Sequence, residues 1–373
     1  MLRRLYTINF IDAFISGMIS VLLPLLMLSR GIDLAMIGLV FSIGPIVHVA
    51  VRFAGAALAD SAGDRKIYVL SSALNFVKSA AYLVSSNAAG FAAGKLSDGS
   101  REALLWSVNR PSLLAVAPGR KHFVLSNMIS GRLLYNALGS LAIGFLFIYG
   151  GYDLPLAVAM ALSLVLVFLS LRLKDMHRAE GRFSLSDFSP FGRSRRFYEI
   201  AGAFVAGNAV YSAVMYLLLP VYFAANGFSV SEIGLFYAGY LLIEGAVLNF
   251  ISHRQVETKR AALAGAAIFC VGLAGLAFAP RDAIPFFFLF MAFGDACGSM
   301  LWEELNYFAS KGSRRKATDL AVVVAPALLS AGAASAAAGF AASAFGFAAI
   351  FAVFALSMAL FAAWCTRIAG MKG

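Results

Sequence analysis

Long apolar runs, separated by short charged breaks, recur from one end of the chain to the other. Each run approaches the roughly 20 residues that a helix needs to cross the hydrocarbon core of a bilayer. The runs are continuously apolar and lack the alternation of a membrane barrel strand. Setting runs against breaks predicts twelve spans, over residues 7–29, 35–58, 67–86, 88–109, 123–148, 154–172, 199–224, 231–252, 261–279, 284–306, 318–341 and 344–366. The expected fold class is an all-α membrane protein, and an even number of crossings returns the C-terminus to the side of the N-terminus.

Composition sharpens this picture. Hydrophobic residues make up 61% of the chain and charged residues 13%, against roughly 25% charged in soluble domains. One soluble core cannot hide that excess. The formal charge of +11 would suit nucleic acid or an anionic surface, so the positions of the bases decide. They gather in one alternating set of breaks: Arg3 and Arg4, Arg65 and Lys66, Arg110 with Arg120 and Lys121, Arg172 to Arg196, Arg254 with Lys259 and Arg260, Lys311 to Lys316, and Arg367 with Lys372. The opposite set receives little beyond Arg30 and Arg281. By the positive-inside rule both termini are expected in the cytoplasm, with the basic loops beside anionic lipid headgroups of the cell membrane. Nucleic acid is not an expected partner. The first run is too long for a signal peptide and lacks a small-residue cleavage site.

Cys270, Cys297 and Cys365 lie in apolar runs without metal-ligand spacing and read as packing residues. No histidine or cysteine cluster suggests metal catalysis. No Gly-rich loop followed by Lys-Ser/Thr suggests bound ATP. No nucleophile and base can be placed together, so an enzyme is the least favoured class. No cofactor is expected, and a monomer is.

The longest hydrophilic stretch, Arg172 to Arg196, falls between spans six and seven. It predicts a six-helix bundle over residues 1–172, a cytoplasmic linker over 173–198 and a second six-helix bundle over 199–373. An offset of 196 positions supports the division. It superimposes Pro24 on Pro220, Gly31 on Gly227, Ile37 on Ile233, Gly38 on Gly234 and Leu105-Trp106 on Leu301-Trp302. One offset thereby relates spans one, two and four to spans seven, eight and ten, as a parallel repeat requires.

Between spans two and three the chain reads Gly55-Ala-Ala-Leu-Ala-Asp60-Ser-Ala-Gly63-Asp64-Arg65-Lys66. This resembles the loop Gly-x-x-x-Asp-Arg-x-Gly-Arg-Arg of the major facilitator superfamily. Asp60, Gly63 and Arg65 match it, with Lys66 following. Gly55 sits one residue early, Ser61 replaces a base, and Asp64 occupies the next basic position. In span four, Lys95-Leu-Ser-Asp98-Gly99 has the shape of the family's Arg-x-x-Gln-Gly, with Lys for Arg and Asp for Gln. The resemblance covers nearly the whole chain. It implies alternating access, in which two rigid halves rock about a cavity lined by helices one, four, seven and ten. It also implies a conformational latch formed by Asp60, Gly63, Arg65 and Lys66.

Ionisable groups inside membrane spans are costly, and by default they mark function. At 100° per residue Lys95, Asp98, Gly99, Glu102, Trp106 and Asn109 share one face of span four, with Arg101 beside it and able to pair with Asp98. Such a face must meet a cavity or a partner helix. Either these charges neutralise one another as packing ion pairs, or a carboxylate without a close base exchanges protons. Glu102 is the candidate here. Span ten presents Asp295, Gly298, Ser299, Trp302 and Asn306, with Asp295 lacking a base within a helical turn; Glu303 and Glu304 lie near the end and read as solvated. In span eight Tyr237, Tyr240 and Glu244 share a face, and the repeat offset sets Glu244 opposite His48, itself either a core histidine or a proton relay. Span one carries a stripe of Asn9, Asp12, Ser16 and Ser20, matched by Asn208, Tyr211, Ser212 and Met215 in span seven. Those stripes suit a cavity wall or interhelical hydrogen bonds. Arg52 and Arg132 are expected to snorkel or to join the latch, and Lys78 has no assigned role.

The proton-coupling candidates are therefore Glu102, Glu244, Asp295 and His48. The substrate-cavity candidates are Asp12, Ser16, Lys95, Asp98, Arg101, Trp106, Asn208, Tyr211, Tyr240 and Trp302. Together they predict a secondary active transporter of a small molecule, driven by protons, with efflux of amphiphilic compounds favoured. Import of organic ions or nutrients by the same fold is the alternative, and a non-transporting membrane sensor or scaffold is a third reading.

Overall fold

A computed structural model describes residues 1–116, 121–174, 189, 191–254, 256–310 and 316–370. Among them no strand occurs. The long helices are α1 (Leu2–Ser29), α2 (Leu34–Ala62), α3 (Asp64–Val84), α4 (Ala88–Val116), α5 (Lys121–Gly150), α6 (Asp153–Leu171), α7 (Arg195–Ala225), α8 (Val230–His253), α9 (Thr258–Phe278) and α10 (Ile284–Ser310). A last helical stretch, Lys316–Gly370, bends at Gly346, whose φ of 76° interrupts the helix. It divides there into α11 (316–345) and α12 (347–370). Twelve spans result. Among the described residues, only α4 lacks the apolarity expected of a bilayer helix, because it carries Lys95, Asp98, Arg101 and Glu102.

The repeat read from the sequence extends to the backbone. At the end of α1, Gly31 (φ 75°) stops the helix while the Ile32 N–H reaches back to the Met27 carbonyl at 3.1 Å. At the end of α7, Gly227 (φ 81°) does the same and the Phe228 N–H reaches the Phe223 carbonyl at 3.1 Å. Both are glycine caps in which a left-handed residue lets the chain satisfy the last carbonyls. Ser229 then opens α8 with a capping box, its hydroxyl accepting the Glu232 N–H while the Glu232 carboxylate accepts the Ser229 N–H.

The two halves differ in α7. It begins at Arg195, four residues before the predicted span, and its backbone is interrupted at residues 209–210 and runs as a π-helix over Val214–Leu218. Such a turn loosens the hydrogen-bond ladder and is common at functional sites. The Tyr237 hydroxyl of α8 donates to the Met215 carbonyl at 2.5 Å, giving a carbonyl within the π turn a partner.

Small residues bring helices to backbone contact. Within the N-terminal half, a Cβ on Gly17 of α1 would lie 2.1 Å from the Asn136 carbonyl oxygen of α5, and one on Gly99 of α4 would lie 2.4 Å from the Gly44 carbonyl oxygen of α2. Between the halves, a Cβ on Gly339 of α11 would lie 2.2 Å from the Leu34 carbonyl oxygen of α2, and one on Gly234 of α8 would lie 2.5 Å from the Ser140 carbonyl oxygen of α5. These last contacts sit at the end remote from the termini. There α1 is buried without a break from Val21 to Met27 and packs against the second part of α7. Gly approach of this kind is how membrane helices gain van der Waals contact where the hydrophobic effect gives none.

Candidate functional site

The N-terminal half encloses a network of charges that α4 organises. Its one-sided polar face turns inward, where partners from three other helices meet it. Asp12 of α1, 3% exposed, is held by Arg101 of α4 and by Arg132 Nη1 of α5 at 3.1 Å. Asn75 Nδ2 of α3 donates to the same carboxylate at 3.4 Å. Asp98 accepts Arg101 Nη2 at 3.1 Å, faces Lys78 Nζ of α3 at 3.4 Å and Lys95 Nζ at 3.6 Å. Two carboxylates are thus shared by four bases, with the Arg101 guanidinium fork bridging them. Packing ion pairs are the arrangement found for Asp98 and Arg101. Beside this network Asn9 and Asn109 exchange amide hydrogen bonds of 2.7 Å in both directions.

The C-terminal half is built with the opposite charge. No Lys or Arg occurs between Phe197 and His253 or between Asp282 and Ser310. Into this base-free interior α8 brings Glu244 and α10 brings Asp295, each 5% exposed. Asp295 Oδ2 accepts the Tyr211 hydroxyl at 2.6 Å and the Tyr240 hydroxyl at 2.8 Å. Glu244 Oε1 accepts the Ser299 hydroxyl at 2.8 Å. Ser299 stands one helical turn from Asp295 on α10, so the two carboxylates meet the same stretch of that helix. Tyr211 stands immediately beyond the break in α7, so the irregular backbone sets the position of an Asp295 donor. Tyr240 is held from behind by stacking on Phe288, with ring centroids 4.7 Å apart.

Between the halves lie partly open side chains. Glu102 of α4 is half-exposed and its carboxylate is 3.9 Å from His48 Nδ1 of α2. Among the described residues His48 Nε2 is buried with no hydrogen-bond partner, as is the Tyr82 hydroxyl of α3. Arg52, one turn beyond His48, is partly open and has no ion-pair partner among the described residues. The Trp106 ring carries the Arg132 guanidinium 5.1 Å from its centre and that of Arg110 at 5.8 Å. Across from them Tyr216 of α7 is exposed and within electrostatic reach of Glu102.

Several sequence expectations change place. Arg132 reaches Asp12, because α1 and α5 pack backbone to backbone. Lys78 gains a role as a partner of Asp98. Glu303 and Glu304 are not simply solvated. Glu303 pairs with Arg110 of α4 at 2.8 Å, and Glu304 accepts the Thr258 hydroxyl at 2.8 Å. His48 faces Glu102 of its own half. Asp12, Arg101 and Tyr240 are packed inside their halves, whereas Lys95, Trp106, Asn208, Tyr211, Ser16 and Trp302 keep part of their surface open. Trp302 rests on Phe204 at 4.2 Å, unlike Trp106 with its two arginines.

The Asp60 side chain lies outside the described residues, as does most of the predicted linker. Of the loop, Gly63 (φ 88°) precedes α3 and Arg65 and Lys66 are exposed. Asp64, which departs from the family pattern, is buried at the first turn of α3 and accepts the Ser112 hydroxyl of α4 at 2.7 Å. A carboxylate at a helix N-terminus is a sequence signal that could have found it. Asn75 had no comparable signal, since an isolated polar residue in an apolar run is usually local.

No curated protein sequence matches the chain. Among solved structures it resembles a variant of the nucleoside transporter NupG, with a TM-score of 0.79 and 13% identity over 98% of this chain and 99% of that one. It also resembles a D-xylose-proton symporter (TM-score 0.77, 12% identity, 98% and 97% covered) and the human organic anion transporter MFSD10 (0.71, 14%, 98% and 99%). At such identities these likenesses speak for the fold. The sequence itself matches the model of the Major Facilitator Superfamily over residues 5–254, and the chain belongs to that superfamily of membrane transporters.

Proposed function

We propose that this protein is a proton-coupled secondary transporter in which Asp295 and Glu244 form the proton site. The pair itself carries the reading: two buried carboxylates bridged in space by α8 and α10, held by the hydroxyls of Tyr211, Tyr240 and Ser299, with no Lys or Arg in residues 197–253 or 282–310. Two negative charges in such a place cost more than one charge and one shared proton. Taking up or releasing that proton changes what Asp295 can accept from Tyr211, next to the interrupted part of α7. The proton is thereby linked to a helix able to change shape. Glu102 and His48 form a second, weaker candidate in the facing half. The termini and basic loops are placed in the cytoplasm of a multi-pass cell-membrane protein, and the Asp60 loop remains the proposed latch.

The separation of the proton pair from the bases of the other half supports symport, because proton and substrate need not compete for one group. The likeness in fold to a D-xylose-proton symporter is in keeping with such coupling. Efflux by exchange is the second reading, supported by Trp106 between two arginines, a surface suited to amphiphilic compounds. A proteoliposome assay separates them. A panel of small polar and amphiphilic solutes is presented with an imposed pH gradient while an internal dye reports pH. Symport acidifies the lumen as solute enters, and exchange alkalinises it. Coupled flux lost in Asp295→Asn and Glu244→Gln is the expected result; flux of wild-type pH dependence in the double variant would overturn the proposal.

A further inference from the structure

The charges of the two halves do not match one to one, and the mismatch has a direction. The interior of the N-terminal half holds five bases, Arg52, Lys78, Lys95, Arg101 and Arg132, against three carboxylates, Asp12, Asp98 and Glu102. Among the described residues, the facing half offers no free carboxylate to the space between them. Asp295 Oδ2 is occupied by two tyrosine hydroxyls, Glu244 by Ser299, and both are almost wholly buried. The negative group on the open side is Glu102, and it sits beside His48. Glu303 is taken by Arg110.

Three bases keep part of their side chains open: Arg52, Lys95 and Arg132, the last two with 14% and 18% of the side chain exposed. Arg52 has no ion-pair partner among the described residues. The flat face of Trp106 lies with Arg132, flanked by its guanidinium and that of Arg110. Positive charge in excess at membrane depth is costly and marks a path for a charge of opposite sign. An arginine fork beside an aromatic face is a receptor for a carboxylate carried on a planar body. The close crossing of α2 and α4 at Gly44 and Gly99 fixes Arg52 and Trp106 on neighbouring helices just beyond that point.

The geometry points to a small organic anion as the substrate, its charge held by Arg52 and its planar body against Trp106, beside the Arg132 guanidinium. This rests on the cavity being the transport path, as proposed above, and not on the identity of the proton site.

Two measurements on the purified full chain test it. The first replaces Trp302 and Trp364 by Phe, leaving Trp106 as the fluorescent group among the chain's three tryptophans. At low ionic strength iodide should quench Trp106 more strongly than neutral acrylamide does. Arg52→Gln should weaken that preference and Arg52→Lys should keep it. Iodide no better than acrylamide overturns the inference. The second follows thermal stability with planar carboxylates, each beside its neutral amide and its amine. Stabilisation by carboxylates is expected, with affinity falling about tenfold or more in Arg52→Gln, the worth of one charge-assisted hydrogen bond. Stabilisation confined to amides or amines overturns it, and if no compound stabilises, the quenching decides. Anion binding that survives in a protein without proton-coupled flux sinks the coupling proposal and leaves this one standing.

Discussion

Arg110 of α4 and Glu303 of α10, 193 positions apart, meet at 2.8 Å and tie the two halves together at the end that carries the termini. At the opposite end the halves meet backbone to backbone through glycines. One closure is therefore a partly exposed ion pair and the other is close packing.

Partly exposed pairs contribute at most about 1 kcal/mol, or roughly fivefold in an equilibrium. Glu303→Gln should shift the protein toward the state open at the terminal end by no more than that. Labelling of a cysteine placed between α4 and α10, in a background without Cys270, Cys297 and Cys365, reads the shift. The exchange Arg110→Glu with Glu303→Arg should restore the wild-type rate; failure to restore it would assign the effect to packing.

Closure at the other end should yield to volume. Gly339→Val places side-chain atoms where the Leu34 carbonyl already stands, so it should force α2 and α11 apart and raise labelling at that end. Gly99→Val, at the same kind of contact within one half, should lower thermal stability and leave the labelling balance nearly unchanged. If both variants behave alike, the distinction between rigid halves and a moving interface fails.

The charge network of the N-terminal half should behave as a unit. Asp98→Asn leaves Lys78, 1% exposed, without its partner at 3.4 Å. Breaking one side of a buried pair costs about 3–5 kcal/mol, a loss that a detergent melt can register. Lys78→Met added to Asp98→Asn should recover part of it, because the stranded charge is gone. A double variant less stable than the sum of the singles would argue that Lys78 has another counter-ion.

Asp295→Asn tests the proton pair with little risk to the fold. Asn still offers an oxygen to the Tyr211 and Tyr240 hydroxyls, so the melting temperature should hold within a few degrees. Substrate exchange across equal pH should persist while uptake driven by a pH gradient is lost. Uptake that still follows the gradient would move the coupling to Glu102 and His48.

Asp64→Asn weakens one charge-assisted hydrogen bond, worth about 1.5–3 kcal/mol, between the start of α3 and Ser112. Melting at a lower temperature is expected, and Ser112→Ala should add little to it. Full additivity of the two would show that they act separately.

Much of this was legible in the chain as written. Apolar runs of bilayer length fix helices because no other open structure satisfies the backbone in lipid. The offset of 196 fixed the pairing of Gly31 with Gly227, since left-handed caps need glycine wherever they recur. Intramembrane charge named Asp98, Arg101, Glu244 and Asp295 at once, because few residues are so costly at that depth. Which charges meet was decided by the tertiary structure alone. Lys78 and Arg132 reach Asp98 and Asp12 from other helices, and helical spacing carries no information about neighbours across an interface. Glu244 and Asp295 come together from α8 and α10, whereas His48, the repeat equivalent of Glu244, meets Glu102. The π turn of α7 has no sequence mark either: no proline or glycine lies within Val214–Leu218, and Tyr237 of α8 meets the carbonyl inside it. Sequence determined the spans, the repeat and the cost of each buried charge; folding determined the partners, because a buried ion is satisfied by whatever lies within a few ångströms in space.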